Sequence, residues 1–149
     1  MMIKPRTLFF ITISLLILGI ALFAFFTRNQ EPLRTFPATV NRDCAPWDGS
    51  AFRVLVQMEA GAVINISIWQ APDIQFSKTF IFPEDTGQIG NVSLVLANGE
   101  YESLTGEVRL EGVSEGKPFA GRFNLKSERG GMYVGQFEAE WDNQIALCG

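Results

Sequence analysis

Asp85-Thr86-Gly87, within the stretch EDTG, carries the most chemical promise of any triplet in this 149-residue chain. Aspartic proteases use Asp-Thr-Gly on a β scaffold to present a carboxylate, and two carboxylates about 3 Å apart share one proton and divide acid from base roles. Here Pro83 and Glu84 precede the triplet, where apolar strand residues are wanted, so it reads as a turn. Other acids cluster as Glu100 with Glu102, Glu107 with Glu111, and Glu138 and Glu140 with Asp142. Each cluster has the residue types of a glycosidase pair or a calcium site, but each also alternates as the solvated face of a strand does. No Asp-x-Asp-x-Asp-Gly loop is present, and the chain has no histidine. The commonest general base and the commonest zinc ligand are thereby removed. We expect no catalytic residues, no metal and no cofactor.

Two cysteines remain, Cys44 in DCAPWDG and Cys148 in EWDNQIALCG, each a few residues from a Trp-Asp pair. They bracket nearly all of the patterned sequence and lie behind an apolar N-terminal segment, the arrangement of a disulfide in an exported domain. A bond between them closes a loop of about 100 residues, for which chain entropy gives roughly 4 to 5 kcal/mol. Trp47 and Trp141 are expected to pack against that bond.

Residues 8–26, LFFITISLLILGIALFAFF, contain no charge. At about 1.5 Å per residue such a helix reaches roughly 28 Å, close to the hydrocarbon thickness of a bilayer. A cleaved secretory signal is the alternative, but Phe25 and Phe26 stand where small residues are wanted for cleavage. The expected organisation is a cytoplasmic N-terminus at 1–7, a transmembrane signal anchor at 8–26, a stalk at 27–43 with two prolines and mixed charge, and an extracytoplasmic domain at 44–149. Basic residues alone leave the orientation open, since Lys4 and Arg6 precede the segment and Arg28 and Arg34 follow it. The cysteine pair favours export of the C-terminal domain. The expected location is a single-pass cell-membrane protein, with secretion after cleavage as the alternative.

The charge is divided along the chain. Up to Asp43 five basic and two acidic residues give +3, whereas from Cys44 onward seven basic and fourteen acidic residues give -7. A domain that acidic repels phosphate backbones, which excludes a nucleic-acid partner.

From Phe52 onward the pattern alternates at period two and shows no long helical stretch. Phe52, Val54, Val56 and Met58 share one face, as do Ile64, Ile66 and Ile68, then Phe76, Phe80 and Phe82, then Val92, Leu94 and Leu96. Val108 and Leu110 alternate with charged residues in GEVRLEGV. Phe119, Gly121, Phe123 and Leu125 alternate with Ala120, Arg122, Asn124 and Lys126, and Tyr133, Gly135, Phe137, Ala139 and Trp141 form the last such series. SERGGM between these two has the glycines of a hairpin turn. The fold class expected is all-β, an antiparallel β-sandwich or closed barrel of about seven strands, preceded by one N-terminal transmembrane helix. Period two cannot separate sandwich from barrel, and the sandwich is slightly favoured.

Trp69 falls opposite the isoleucine stripe together with Asn65 and Ser67, so these three form the candidate binding surface. An indole beside hydroxyl and amide groups can stack on a sugar ring or anchor a protein; the alternative is that the neighbouring loop QAPDIQF covers it. Asn65-Ile-Ser67 and Asn91-Val-Ser93 also match the N-glycosylation pattern. The function expected is a membrane-anchored extracytoplasmic β domain with a non-catalytic binding or structural role at the cell envelope. Its expected partners are the lipid bilayer through residues 8–26 and a protein or glycan. The alternative is a barrel that holds a small apolar ligand among its many phenylalanines, and a hydrolase stands behind both.

Overall fold

The computed structural model describes residues 32–72, 75–83, 89–142 and 146–148. The expected transmembrane helix at 8–26 and the Asp85-Thr86-Gly87 triplet lie outside them. Eight strands follow one another: β1 Thr35–Cys44, β2 Ser50–Gln57, β3 Val63–Ile68, β4 Phe76–Phe82, β5 Gly90–Val95, β6 Tyr101–Val113, β7 Phe119–Ser127 and β8 Met132–Trp141. A single 3-10 turn, Glu59–Gly61, joins β2 to β3.

The fold is a closed seven-strand barrel rather than the slightly favoured sandwich. β6 decides this, because β7 pairs along one of its edges while β5 and β4 share the other. The ring then runs β1-β2-β3-β5-β6-β7-β8 and returns to β1. Every neighbouring pair is antiparallel except the seam, where β1 and β8 run parallel from Thr35 opposite Gln136 to Val40 opposite Trp141. Strands that alternate in direction around an odd-membered ring must meet once in parallel, so the all-antiparallel expectation is corrected at that one pair. Closure leaves no exposed edge around the ring.

β4 stands as a second segment of the fourth stave, the one that β5 occupies. Phe82 and Gly90 both belong at the level where β6 changes partner: Phe82 faces Gly106, and β5 takes over β6 pairing at Ser103. Gly106 is the corner itself. Its φ of 131° is barred to most side chains, and a Cβ there would lie 2.2 Å from the Asn124 carbonyl oxygen. β4 pairs with β6 alone, and Lys78 guards the other edge. Lys78 lies opposite buried Leu110, on the inward side, yet remains exposed and places its Nζ 4.9 Å over the Phe80 ring. A charge at such a position disfavours pairing with a foreign strand.

The folded part also begins earlier than the expected boundary at Cys44, since residues 35–43 of the expected stalk form most of β1. Pro37 made this stretch read as extended linker. In the barrel its missing N–H costs little. The Arg34 and Val40 carbonyls accept from Gln136 and Asp142, so even-numbered residues of β1 face β8 and odd-numbered ones face β2. Pro37 therefore points to β2, whose pairing with β1 starts only at Ala38.

The period-two faces predicted from the sequence form the core. Phe52, Val54, Val56, Ile64, Ile66, Ile68, Val108, Leu110, Leu125 and Ala139 are fully buried, and Val40 of β1 joins them. Gly121 and Gly135 lie on this inner face because rings occupy the space of their side chains. A Cβ on Gly121 would stand 2.2 Å from Phe137, and one on Gly135 would stand 2.7 Å from Phe36 and 2.8 Å from Phe123.

Candidate functional site at the disulfide pole

The barrel has two poles. β1 enters at one, beside the β5–β6 and β7–β8 turns, and ends at the other, where Cys44 and Cys148 are joined with Cα atoms 5.6 Å apart. At this second pole the ends of several strands are tied together. Arg42 pairs with Glu115 at 2.5 Å, across from the β6–β7 turn, and the Glu115 N–H donates to the Pro72 carbonyl at 3.1 Å. Asp43 accepts from the Cys44 N–H at 2.9 Å and pairs with Arg53 at 2.7 Å.

The turn from Cys44 to Ser50 carries the site. The Ala45 N–H donates to the Gly49 carbonyl at 2.8 Å and the Asp48 N–H to the Ala45 carbonyl at 3.0 Å, with Asp48 at a φ of 62°. Asp is one of the few residues that tolerate that conformation. The turn tips Trp47 back over Gly49, where a Cβ would stand 2.7 Å from the indole Nε1. Trp47 then meets Trp69 edge to face, with ring centroids 5.6 Å apart and planes at 83°. Such a pair contributes about 0.5 to 1.5 kcal/mol beyond area burial. Trp47 nevertheless keeps 56% of its surface in water. It is a held ring rather than a loose one, since hydrogen bonds, a glycine and a second indole all fix its place.

This corrects the expected neighbourhood of the tryptophans. The ring contact shown for Trp47 is with Trp69. Trp141 is the last inward residue of β8 and packs inside the barrel, 6.1 Å from Phe52 and 6.3 Å from Phe119. Cys148 Sγ instead lies 3.7 Å from the Asp43 carbonyl oxygen.

The candidate surface of Trp69, Asn65 and Ser67 is not a single exposed face. Ser67 is buried at 6% exposure, and Asn65 is half-buried with its Oδ1 enclosed and unpaired. Both lie on the outer side of the sheet, where Ser67 forms a cross-strand row with Arg53, Asn41 and Asn91. Trp69 is half-buried beneath Trp47, whose role the sequence reading missed. The signal available for it was the Asp48-Gly49 turn, which leaves a preceding residue at a hairpin tip with little to cover it.

Inside the barrel the phenylalanines meet one another. Phe52 contacts Phe76, Phe119 and Trp141, and Phe123 stacks on Phe137 at 6.4 Å. That packing leaves the internal apolar-ligand reading without an observation in its favour. A surface groove of about 660 Å³ lies over the β1–β8 seam, lined by Thr35, Pro37, Thr39, Gln57, Glu138 and Glu140 among others. Among the described residues no three acids or cysteines gather into a metal site. No family model, curated protein or solved structure matches the chain.

Proposed function

We propose that this chain is a membrane-tethered, exported β-barrel whose work is non-catalytic binding of a protein or glycan at the cell envelope, through the Trp47–Trp69 pair. The observation that carries the binding half is the exposure of Trp47 together with its support. An indole left in water at a hairpin tip contributes little to the fold, so three separate restraints on it are best explained by a partner that needs the ring already in place. Asp48, Gln70 and the Asp43–Arg53 pair supply polar groups around it.

Export is supported by the Cys44–Cys148 bond, which suits an oxidising compartment. The tether is supported by the charge-free run at 8–26. In a cell fractionation, the full chain is expected in the membrane fraction and resistant to carbonate extraction. Soluble, N-terminally trimmed chain overturns the tether, and two titratable thiols in the native protein overturn the bond. For binding, full-length chain in nanodiscs is tested against glycan arrays and envelope extracts. Trp47→Ala is expected to weaken capture about 30-fold, the loss of a ring worth some 2 kcal/mol at an interface centre. Equal capture by Trp47→Ala and wild type, with equal melting, overturns the site.

A further inference from the structure

The opposite pole carries a second feature that the binding reading does not use. Four large apolar side chains stand in water there: Leu33 at 40%, Val134 at 49%, Met132 at 61% and Tyr101 at 78% exposure. Three of them form a strip. Thr35 is opposite Gln136 in the parallel seam and the Gln136 N–H donates to the Arg34 carbonyl; that register carried two residues back sets Leu33, just before β1, beside Val134 of β8 on the outer face. Met132 follows on the same face of β8, beside Lys126. The β7–β8 turn is fastened to the start of β6 where the Arg129 N–H donates to Glu102 Oε1 at 3.2 Å, and Tyr101, the residue before Glu102, stands at the same pole.

Among the described residues Tyr101 has no ring partner of the kind Trp47 has in Trp69, and turns precede both Tyr101 and Met132. A monomer with so full a core has no need to leave four large apolar groups together at one end. The charges around them are mixed: Arg34 pairs with Glu59 and Arg129 lies 4.0 Å from Glu102, while Lys126, Glu100 and Glu128 reach into water. That blend of an aromatic hydroxyl, aliphatic groups and long charged chains matches the interfacial layer of a membrane, where amphipathic residues sit at headgroup level.

Chain length says which surface is near. From Phe26, the last residue of the apolar run, to Leu33 there are seven steps. Fully extended they span at most about 24 Å, and as a flexible chain about 15 Å. The headgroup layer on each side of a bilayer takes up some 5 to 8 Å of that distance. We propose that the entry pole rests on the bilayer, with Leu33, Val134, Met132 and Tyr101 seated among the lipid headgroups. The proposal rests on the reading of residues 8–26 as an anchor.

The test uses the full chain in single-copy nanodiscs of phosphatidylcholine and phosphatidylglycerol. A nitroxide is placed at Val134→Cys, with Lys117→Cys in the β6–β7 turn as the distant control. At Val134 the label is expected to collide more with membrane-soluble oxygen than with a water-soluble nickel chelate, and at Lys117 the reverse. Equal, water-like behaviour at both positions in chains that remain disc-bound overturns the resting pole and leaves the anchor standing. Failure of the chain to incorporate into discs overturns the anchor and the resting pole together. Shielding of Val134 that appears in crowded vesicles but not in single-copy discs also overturns the proposal, since a second copy then covers the strip. Should the labelled variants fold poorly, hydroxyl-radical labelling of the unaltered chain gives the same answer. Met132 and Tyr101 are expected to label less than Trp47 in discs despite their greater exposure, and labelling in proportion to exposure overturns the proposal.

Discussion

The two poles of this barrel expose apolar surface in opposite ways. At the disulfide pole one indole is exposed, and a tight turn, Gly49, Trp69 and the tied ends around Asp43 and Glu115 hold its surroundings in place. At the entry pole four apolar side chains are exposed, and none of them has a ring partner among the described residues. A surface that must fit one partner gains from restraint, because fewer rotamers are lost on binding. Contact with a fluid layer asks only for amphipathic chemistry at the right height. On the two proposals made above, the same elements, strand ends and the turns between them, would serve recognition at one end and adhesion at the other.

The sharpest way to break this contrast is to undo the staple. Cys44→Ser with Cys148→Ser is expected to lower stability by about 4 to 5 kcal/mol on the chain-entropy estimate, read as a drop in thermal midpoint by circular dichroism. A drop no larger than that of an ordinary surface change would mean that the parallel seam alone holds the pole. Phe52→Ala removes the ring that contacts Phe76, Phe119 and Trp141 just beneath the same pole. About 3 to 5 kcal/mol is expected, measured by urea unfolding.

Gly49→Ala is the finer probe. It puts a methyl against the Trp47 indole, so it should displace the ring while costing about 1 kcal/mol or less, as exposed sites do. A shift of tryptophan emission without a large change in melting is the expected signature, and unchanged emission would show that Gly49 is not part of the support. The smallest effects belong to the entry pole. Met132→Ser and Val134→Ser should each change stability by no more than about 0.5 kcal/mol. Arg34→Ala, which breaks the exposed pair with Glu59 and removes the guanidinium 5.1 Å over the Phe36 ring, should cost about 1 kcal/mol. Any of these three melting like Phe52→Ala would mean that this end is core, and the contrast would fall.

Much of the barrel's wall was legible from residue types, because a stave with one face in oil and one in water repeats every second residue. Ile64, Ile66 and Ile68 announce themselves, as do Phe119, Phe123 and Leu125. β1 was hidden because Pro37 and the charges of Arg42 and Asp43 interrupt its alternation, and the reason these are tolerated lies in the register with β2 and β8. Closure was hidden for the same kind of reason. Whether β6 has two paired edges depends on strands far from it in the chain, and no local pattern records that. Of the two indoles in the proposed binding pair, Trp69 follows a strand and so lies within reach of periodicity, whereas Trp47 lies on a turn, which periodicity does not place. Ser67 and Asn65 were placed on the correct face, but period two does not record that Ser67 is buried there and Asn65 half-buried.

The parallel seam also governs how tension would travel through the molecule. β1 starts at the entry pole and leads directly into the turn that carries Trp47. Ten residues at about 3.3 Å each make it a line of roughly 33 Å from one pole to the other. A pull between the N-terminal side and a partner gripping Trp47 would run along a backbone that is already extended, flanked by β2 on one side and β8 on the other. It has almost no slack to release, so the load would pass through covalent bonds without peeling a strand from the wall. The segment mistaken for a stalk would be the barrel's tensile member.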